Sequence, residues 1–307
     1  MISRRAFVHS STLALAGMAC IRTHIASAAA SVGPLGLPIG IQLYTVRDET
    51  AKDLPGTLKQ LASMGYAEVE LAGYYGKGAR ELRGFLDDFG LKAPSTHQGL
   101  ADLLTDTDRK IDYLAELGVQ YVVVPFPAVP DNRFDKNPPD AQHTIANSTT
   151  LADWQWISEQ LNKIGALTKK VGIRTGYHNH NLEFRRIDGT MIYDKLQEWT
   201  DPDLVTMELD VGWVVAAGVD LYALSKKYSK RISMLHVKDV KHGVKPLVDK
   251  VETNTSEVGN GQIDWQKFFG SLDRQRIKHY FVEQENFDRP VMAAVKISHD
   301  YLAGLKV

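Results

Sequence analysis

Eight short apolar runs recur along this chain, at 40–44, 68–71, 91–97, 121–125, 174–180, 205–210, 232–237 and 279–283, with helical patterns between most of them. Alternating strand and helix signals build parallel βα units, because returning a chain in parallel takes a long crossover, usually a helix. Several runs are rich in Val, Ile, Tyr and Phe, as strands buried on both faces should be. Between the runs, Leu58, Leu61 and Ala62 keep helical spacing before Gly65, and Ile111, Leu114 and Leu117 do so before Gly118. Trp156, Ile157, Leu161, Ile164 and Leu167 make the longest amphipathic stretch, closed by Gly172. Eight such units favour an α/β fold, a closed single-domain (β/α)8 TIM barrel, which needs about 250 residues. No Gly-x-Gly-x-x-Gly follows the first run, which counts against a dinucleotide-binding sheet.

The chain has 307 residues, so a barrel over 31–307 leaves a segment of 1–30 to explain. Ser3-Arg4-Arg5-Ala6-Phe7-Val8 resembles a twin-arginine export signal, followed by a modest apolar stretch and by Ala26-Ser27-Ala28 or Ala28-Ala29-Ala30 as cleavage sites. An ordinary secretory signal is the alternative. Cys20, the one cysteine, lies in this segment, and Gly17-Met18-Ala19 before it is a poor lipidation motif. Expected, then, is a thiol-free periplasmic protein with no stable membrane anchor. With a net charge of −1, bulk attraction to nucleic acid or to an anionic membrane is not expected. Two longer loops stand out. The first, 126–150, is mostly polar and carries Pro127, Pro130, Pro138 and Pro139. The second, 240–260, leads through Gly259-Asn260-Gly261 to a helix cap at Asp264. Long loops on a barrel either frame the active site or run over the surface.

A TIM barrel works at the C-terminal ends of its strands. The last four runs end in Tyr177-His178-Asn179-His180, Glu208-Leu209-Asp210, His236-Val237-Lys238-Asp239 and Glu283-Gln284-Glu285. Strand alternation puts His178 with His180 on one face, and likewise Glu208 with Asp210, His236 with Lys238, and Glu283 with Glu285. Carboxylates with neutral imidazoles suit Mn, Mg, Zn or Fe(II) at an open, oxygen-rich site. Glu208 reads as a buried partner of Lys238 rather than as a ligand.

The whole of 31–307 resembles the sugar phosphate isomerase/epimerase family of xylose-isomerase-like TIM barrels. The likeness rests on Gly40-Ile41-Gln42-Leu43-Tyr44-Thr45-Val46-Arg47, Tyr177-His178-Asn179-His180-x-x-Glu183-Phe184, Leu209-Asp210-Val211-Gly212-Trp213, His236-Val237-Lys238-Asp239 and Phe281-Val282-Glu283-Gln284. It implies one divalent ion (Mn, Mg, Co or Zn), with Asp210, His236 and Glu283 as ligands. The family's fourth ligand is a strand-five Glu, and this chain has His178 there. Either Glu183 reaches back from the loop or one of His178 and His180 takes its place; a hard ion's preference for oxygen points to Glu183. His178, His180 and Lys238 then become the candidate acid/base groups, and Gln42, Glu70, His97, Trp213 and Glu285 candidate substrate contacts.

The resemblance implies a sugar or keto-sugar substrate, proton abstraction next to a carbonyl and a metal-stabilised enediolate. Isomerase or epimerase is the leading expectation. A keto-sugar or keto-cyclitol lyase or dehydratase is the alternative, favoured by the two histidines and by export. A non-catalytic carbohydrate-binding barrel and the apurinic-site endonuclease branch are further readings; near-neutral charge speaks against the last. For the targeting segment, Arg4→Lys combined with Arg5→Lys should leave the protein in the cytoplasm on cell fractionation. Normal export of that double variant would point to the general secretory route.

Overall fold

The computed structural model describes residues 31–129, 147–251 and 253–307. Arg4, Arg5, Cys20 and most of the 126–150 loop lie outside the described residues. Eight parallel strands close on themselves: β1 (Gly40–Gln42), β2 (Glu68–Leu71), β3 (Lys92–His97), β4 (Tyr121–Val124), β5 (Arg174–His178), β6 (Val205–Asp210), β7 (Ile232–Val237) and β8 (His279–Val282). Each pairs with its sequence neighbours, and β1 pairs with β8 at Gly40↔Phe281 to shut the barrel. This is the (β/α)8 architecture that the alternating pattern implies.

Helix ends follow the local chemistry. The helix Leu54–Met64 stops at Gly65 (φ 104°), and Thr107–Leu117 stops at Gly118 (φ 87°); both need a left-handed residue that glycine adopts without strain. Leu151–Thr168 starts at a capping box in which Thr150 and Asp153 satisfy each other's backbone N–H groups. Its buried stripe runs through Trp154, Ile157, Leu161 and Ile164, whereas Trp156 and Leu167 are only half-buried. Sequence spacing places the stripe slightly off this face, because Trp154 and Trp156 are equally apolar and spacing alone does not rank them.

Four strands end earlier than their apolar runs, β4 and β8 by one residue and β1 and β5 by two. After Gln42 the chain enters a 3-10 turn, Leu43–Val46, capped by the Gln42 side chain, which accepts from Tyr44 N at 3.0 Å. After His178 it turns through Asn179–Asn181 into another, Leu182–Phe184. His180 therefore sits on a βα loop rather than on β5. The 240–260 loop begins as a small ribbon, Asp239–Val240 paired with Thr255–Ser256. The buried Asp239 carboxylate holds the ribbon down, accepting from Gly259 N at 2.9 Å, Gly261 N at 3.2 Å and Trp265 Nε1 at 2.8 Å. Asp264 caps the next helix by accepting from Lys267 N.

The main core lies between strands and helices. A second cluster of Tyr121, Val123, Met234 and Phe281 fills the barrel's interior. On β7, alternation lifts the inward face from Met234 to His236, and along β8 it leads from Phe281 to Glu283 just past the strand. Apolar filling thus gives way to a polar layer toward the C-terminal mouth. Among the described residues no helix is long and apolar enough to cross a membrane.

Barrel closure depends on close contact at Gly40. A Cβ there would stand 2.5 Å from Phe281 Cδ1 and 2.8 Å from the Tyr280 carbonyl. Gly40→Ala should therefore cost about 1–3 kcal/mol of stability, read as a lower urea midpoint with an unchanged slope. An unaltered midpoint would mean the β1–β8 seam is looser than this.

Candidate active site

Strand register decides which side chains meet at the mouth. His178 on β5 is level with Glu208 on β6, Asp210 on β6 with His236 on β7, and Glu70 on β2 with Ser95 on β3. Glu70, Glu208, Asp210 and His236 are fully buried, and His178 and Glu283 nearly so. Glu208 Oε2 lies 2.8 Å from His97 Nε2, 3.2 Å from His178 Nδ1 and 3.1 Å from His236 Nε2. Glu70 Oε2 lies 2.6 Å from His236 Nε2 and 3.1 Å from His97 Nε2, and accepts from Gln42 Nε2 at 2.7 Å. Its other oxygen accepts from Ser95 Oγ at 2.5 Å.

These contacts set the protonation of the layer. Burial alone would raise the Glu70 carboxyl, but the charges of His97 and His236 hold it far below the usual range. Burial works against a charged His97; Glu70 and Glu208 outweigh it and carry that imidazole to about 9. His236 likewise rises against its burial, through Glu208, Glu283 and Glu70. His178 moves the other way: burial, then the charges of His236, His180 and His97, push it well below its ordinary value.

Two sets of four donor atoms each lie within 4.8 Å of one another: His97, His178, Glu208 and His236, and His178, Asp210, His236 and Glu283. In the first, Glu208 already bonds the three imidazoles together. The second is looser. Asp210 Oδ2 is 3.8 Å from both His178 Nε2 and His236 Nδ1, and it makes no hydrogen bond. Behind these two imidazoles, on their far nitrogens, stand Glu208 for His178 and Glu70 for His236. Histidines that bind metal usually carry such a carboxylate partner, which fixes the ring and its tautomer. Of the four buried carboxylates here, Asp210 and Glu283 face the ammonium of Lys238, and Glu70 and Glu208 face the imidazoles. Burial, aided by Glu283 and opposed by Lys238, lifts the Asp210 carboxyl to about 7. A buried layer of carboxylates is stable only with cations or protons beside it; here Lys238 and the protonated imidazoles of His97 and His236 fill that part, and a metal ion bound by His236 would take the place of its proton. The second set, with two nitrogens and two oxygens, fits a divalent metal of borderline softness.

The other expected site residues fall into two groups. Lys238 is wholly buried and does not line the cavity. Its Nζ lies 3.0 Å from Asp210 Oδ2, 2.8 Å from Glu283 Oε2 and 2.6 Å from Glu285 Oε1, and 4.7 Å from the Trp213 ring centroid. It is a fixed counter-charge, and the partners of Glu208 are the three imidazoles rather than Lys238. Gln42, Glu70 and Trp213 also sit behind the cavity wall and support it. Glu183 is turned away from both donor sets. Its carboxylate accepts from Tyr177 Oη at 2.6 Å and from His180 N at 2.8 Å, because the Leu182–Phe184 turn folds it under the loop. Burial raises it to about 7. Of the two strand-five alternatives, His178 is the residue brought to Asp210, His236 and Glu283.

His97, His178, His180, Glu283 and Glu285 open onto a cavity of about 600 Å³. His180 Nδ1 is buried with no hydrogen-bond partner, between the rings of Phe126 at 5.3 Å and Trp213 at 5.1 Å. Burial, with the charge of Lys238, pushes its imidazole down to about 3. Sequence reasoning misses Tyr44, Tyr74, Gln98, Asp102 and Phe126, which also line the cavity. They come after the first four strands as the charged residues come after the last four, so the strand-end rule applied to every strand would have found them.

Known proteins give this geometry a setting. An inosose dehydratase of Geobacillus kaustophilus is 26% identical over 253 residues, covering 72% of this chain and 79% of that protein. One from Bacillus cereus is 24% identical over 257 residues, covering 77% and 83%. The crystal structure of a sugar phosphate isomerase/epimerase from Parabacteroides distasonis superposes with a TM-score of 0.71 at 27% identity, covering 92% of this chain and 97% of that one. The model of the xylose isomerase-like TIM barrel family matches residues 58–305. With that match spanning most of the chain and the barrel closed as described, the chain belongs to the xylose isomerase-like TIM barrel family.

Proposed function

We propose that this protein is a metal-dependent lyase that removes water, or another β-substituent, from a keto-cyclitol or keto-sugar. The carrying observation is the pair of imidazoles, His97 and His180, whose rings flank that of His178 at 5.0 Å each and which share its cavity. An elimination needs two proton positions, one taking the proton beside the carbonyl and one serving the leaving oxygen. The inosose dehydratases among the relatives support the same choice. It reverses the order expected from sequence, where isomerase or epimerase leads.

His178, Asp210, His236 and Glu283 would hold the ion. A divalent metal bound there supplies Lewis acidity toward the substrate carbonyl. The chain's own groups do the rest. His180, which lines the cavity and whose Nδ1 has no hydrogen-bond partner, takes the proton from the carbon next to the carbonyl. The β carbon–oxygen bond then breaks, and His97 gives a proton to the departing oxygen, which leaves as water when the group is a hydroxyl. Glu208 and Glu70, both against His97 Nε2, keep that ring oriented. Lys238 holds Asp210 and Glu283 in place, and the apolar rings of Phe126 and Trp213 keep water from His180.

Elemental analysis tests the ligand set. Wild-type protein should carry about one divalent ion per chain, His178→Ala and Asp210→Ala should lose it, and Glu183→Gln should keep it. Retention by His178→Ala together with loss in Glu183→Gln would return the ligand role to Glu183. The reaction is tested by NMR in D2O with 2-keto-myo-inositol and 3-keto-glucose. The expected product is the dehydrated enone or its hydrate, and His180→Asn should slow its formation by about 10²–10⁴-fold with metal retained. Deuterium exchange that ends in an epimer or isomer would restore the isomerase/epimerase reading. No exchange with Mn, Mg, Co or Zn would leave a carbohydrate-binding barrel.

A further inference from the structure

We infer that the substrate carries a second sugar ring beyond the reacting one, seated in a recess beside the main cavity; this rests on the keto-sugar reading above. Tyr74, Gln98 and Asp102 line both spaces. The recess, about 350 Å³, is completed by Arg109, Lys110 and Tyr113. It therefore adjoins the reaction site across Tyr74, Gln98 and Asp102, and a ligand that extends past these three residues enters it.

The recess has the chemistry of a pyranose site. The rings of Tyr74 and Tyr113 stand 4.5 Å apart at 44° and offer apolar faces. A polar rim surrounds them: Tyr74 Oη donates to Gln98 Oε1, Gln98 Nε2 donates to Asp102 Oδ2, and Lys110 Nζ reaches Asp102 Oδ1 at 2.6 Å. A sugar ring presents a C–H face and a hydroxyl edge, and this wall has a counterpart for each. An anionic extension such as a phosphate is a poorer match. Lys110 is already paired with Asp102, and Arg109 is paired with Asp106 at 2.8 Å.

The dividing wall is built at some cost. Gly73 (φ 115°), Tyr75 (φ 54°) and Gly76 (φ 67°) all take left-handed backbone around Tyr74. A tyrosine with positive φ is strained, and the Tyr75 hydroxyl is buried without a hydrogen-bond partner. Strain of this kind persists where neighbouring structure fixes it, and here its effect is to stand Tyr74 between the two spaces. Tyr113 is held from the other side, donating its hydroxyl to the Lys77 carbonyl at 2.9 Å.

The test uses the full chain loaded with metal. Binding of glucose, cellobiose, maltose and trehalose is measured by ligand-detected NMR, and turnover with 3-keto-glucose and the 3-keto form of the preferred disaccharide. At least one disaccharide should bind about tenfold or more tightly than glucose, the scale of one added aromatic contact. Tyr113→Ala should bring that preference down to about twofold, and Tyr113→Phe, which keeps the ring, should retain it. Equal binding of glucose and all three disaccharides by the wild-type protein would overturn the inference, whether or not Tyr113→Ala folds. So would a preference that survives Tyr113→Ala. The two proposals fail separately. Elimination without disaccharide preference refutes the recess alone, while preference without elimination refutes the reaction and leaves the recess standing.

Discussion

Three imidazoles share one carboxylate oxygen, Glu208 Oε2, at the floor of the barrel's mouth. Each ring nitrogen facing that oxygen is best satisfied as an N–H donor. This fixes which nitrogen of His178 points toward Asp210 and orients His97 toward the cavity. Glu70 repeats the device for His236. Neither carboxylate is an obvious ligand, yet the candidate ligand atoms stand where they do because these two hold the rings from behind. Leaving either carboxylate unpaired in this dry layer would be expensive, so the arrangement is self-locking: the imidazoles neutralise the acids, and the acids orient the imidazoles.

Lys238 plays the matching part on the opposite side. One buried ammonium draws Asp210 from β6, Glu283 from the end of β8 and Glu285 from the loop beyond it toward a common point. Gly212 allows this, since a Cβ there would lie 2.8 Å from the Lys238 carbonyl and 2.7 Å from its Cγ. The strand-six motif Asp210-Val211-Gly212-Trp213 thus acts as one unit. Asp210 caps its helix through Trp213 N at 2.8 Å, Gly212 admits Lys238, and Trp213 lies under the ammonium.

Much of this is legible in the sequence, and each exception has a physical cause. The barrel shows in the alternation of runs, and Asp210, His236, Glu283 and His178 show as charged or titratable residues ending apolar strands. Alternation says which face a residue takes, and that is enough for those four. It does not say how deep a residue lies along the barrel axis. Gln42 and Glu70 have the right face and the wrong depth, and Trp213 lies on the helix Val211–Ala216 beyond β6, so all three support the wall and do not line the cavity. Lys238 reads from sequence as a proton carrier because lysine at a strand end often faces solvent; here three carboxylates and an aromatic ring bury it. Glu183 is misplaced by sequence reasoning on different grounds. Preference of hard ions for oxygen is a statement about chemistry, while the position of Glu183 is set by a 3-10 turn and the Tyr177 hydroxyl.

Depth also separates the residues that hold from those that touch. His178, Asp210 and His236 sit on strands whose registers tie them to neighbouring strands, His236 on both sides, so their donor atoms vary little in position. The residues expected to meet substrate, Tyr74, Gln98, Phe126 and His180, stand on the loops after β2, β3, β4 and β5. Such loops can change residue by residue without disturbing the layer beneath. One family can therefore keep a common centre for proton chemistry beside a carbonyl while the loops decide the fate of the intermediate once the proton has gone. In this chain the decisive loop residue is His180. Its backbone N–H is fixed by Glu183 and its ring is enclosed by Phe126 and Trp213, so the carboxylate that oxygen preference alone would make a ligand positions the residue proposed as the base.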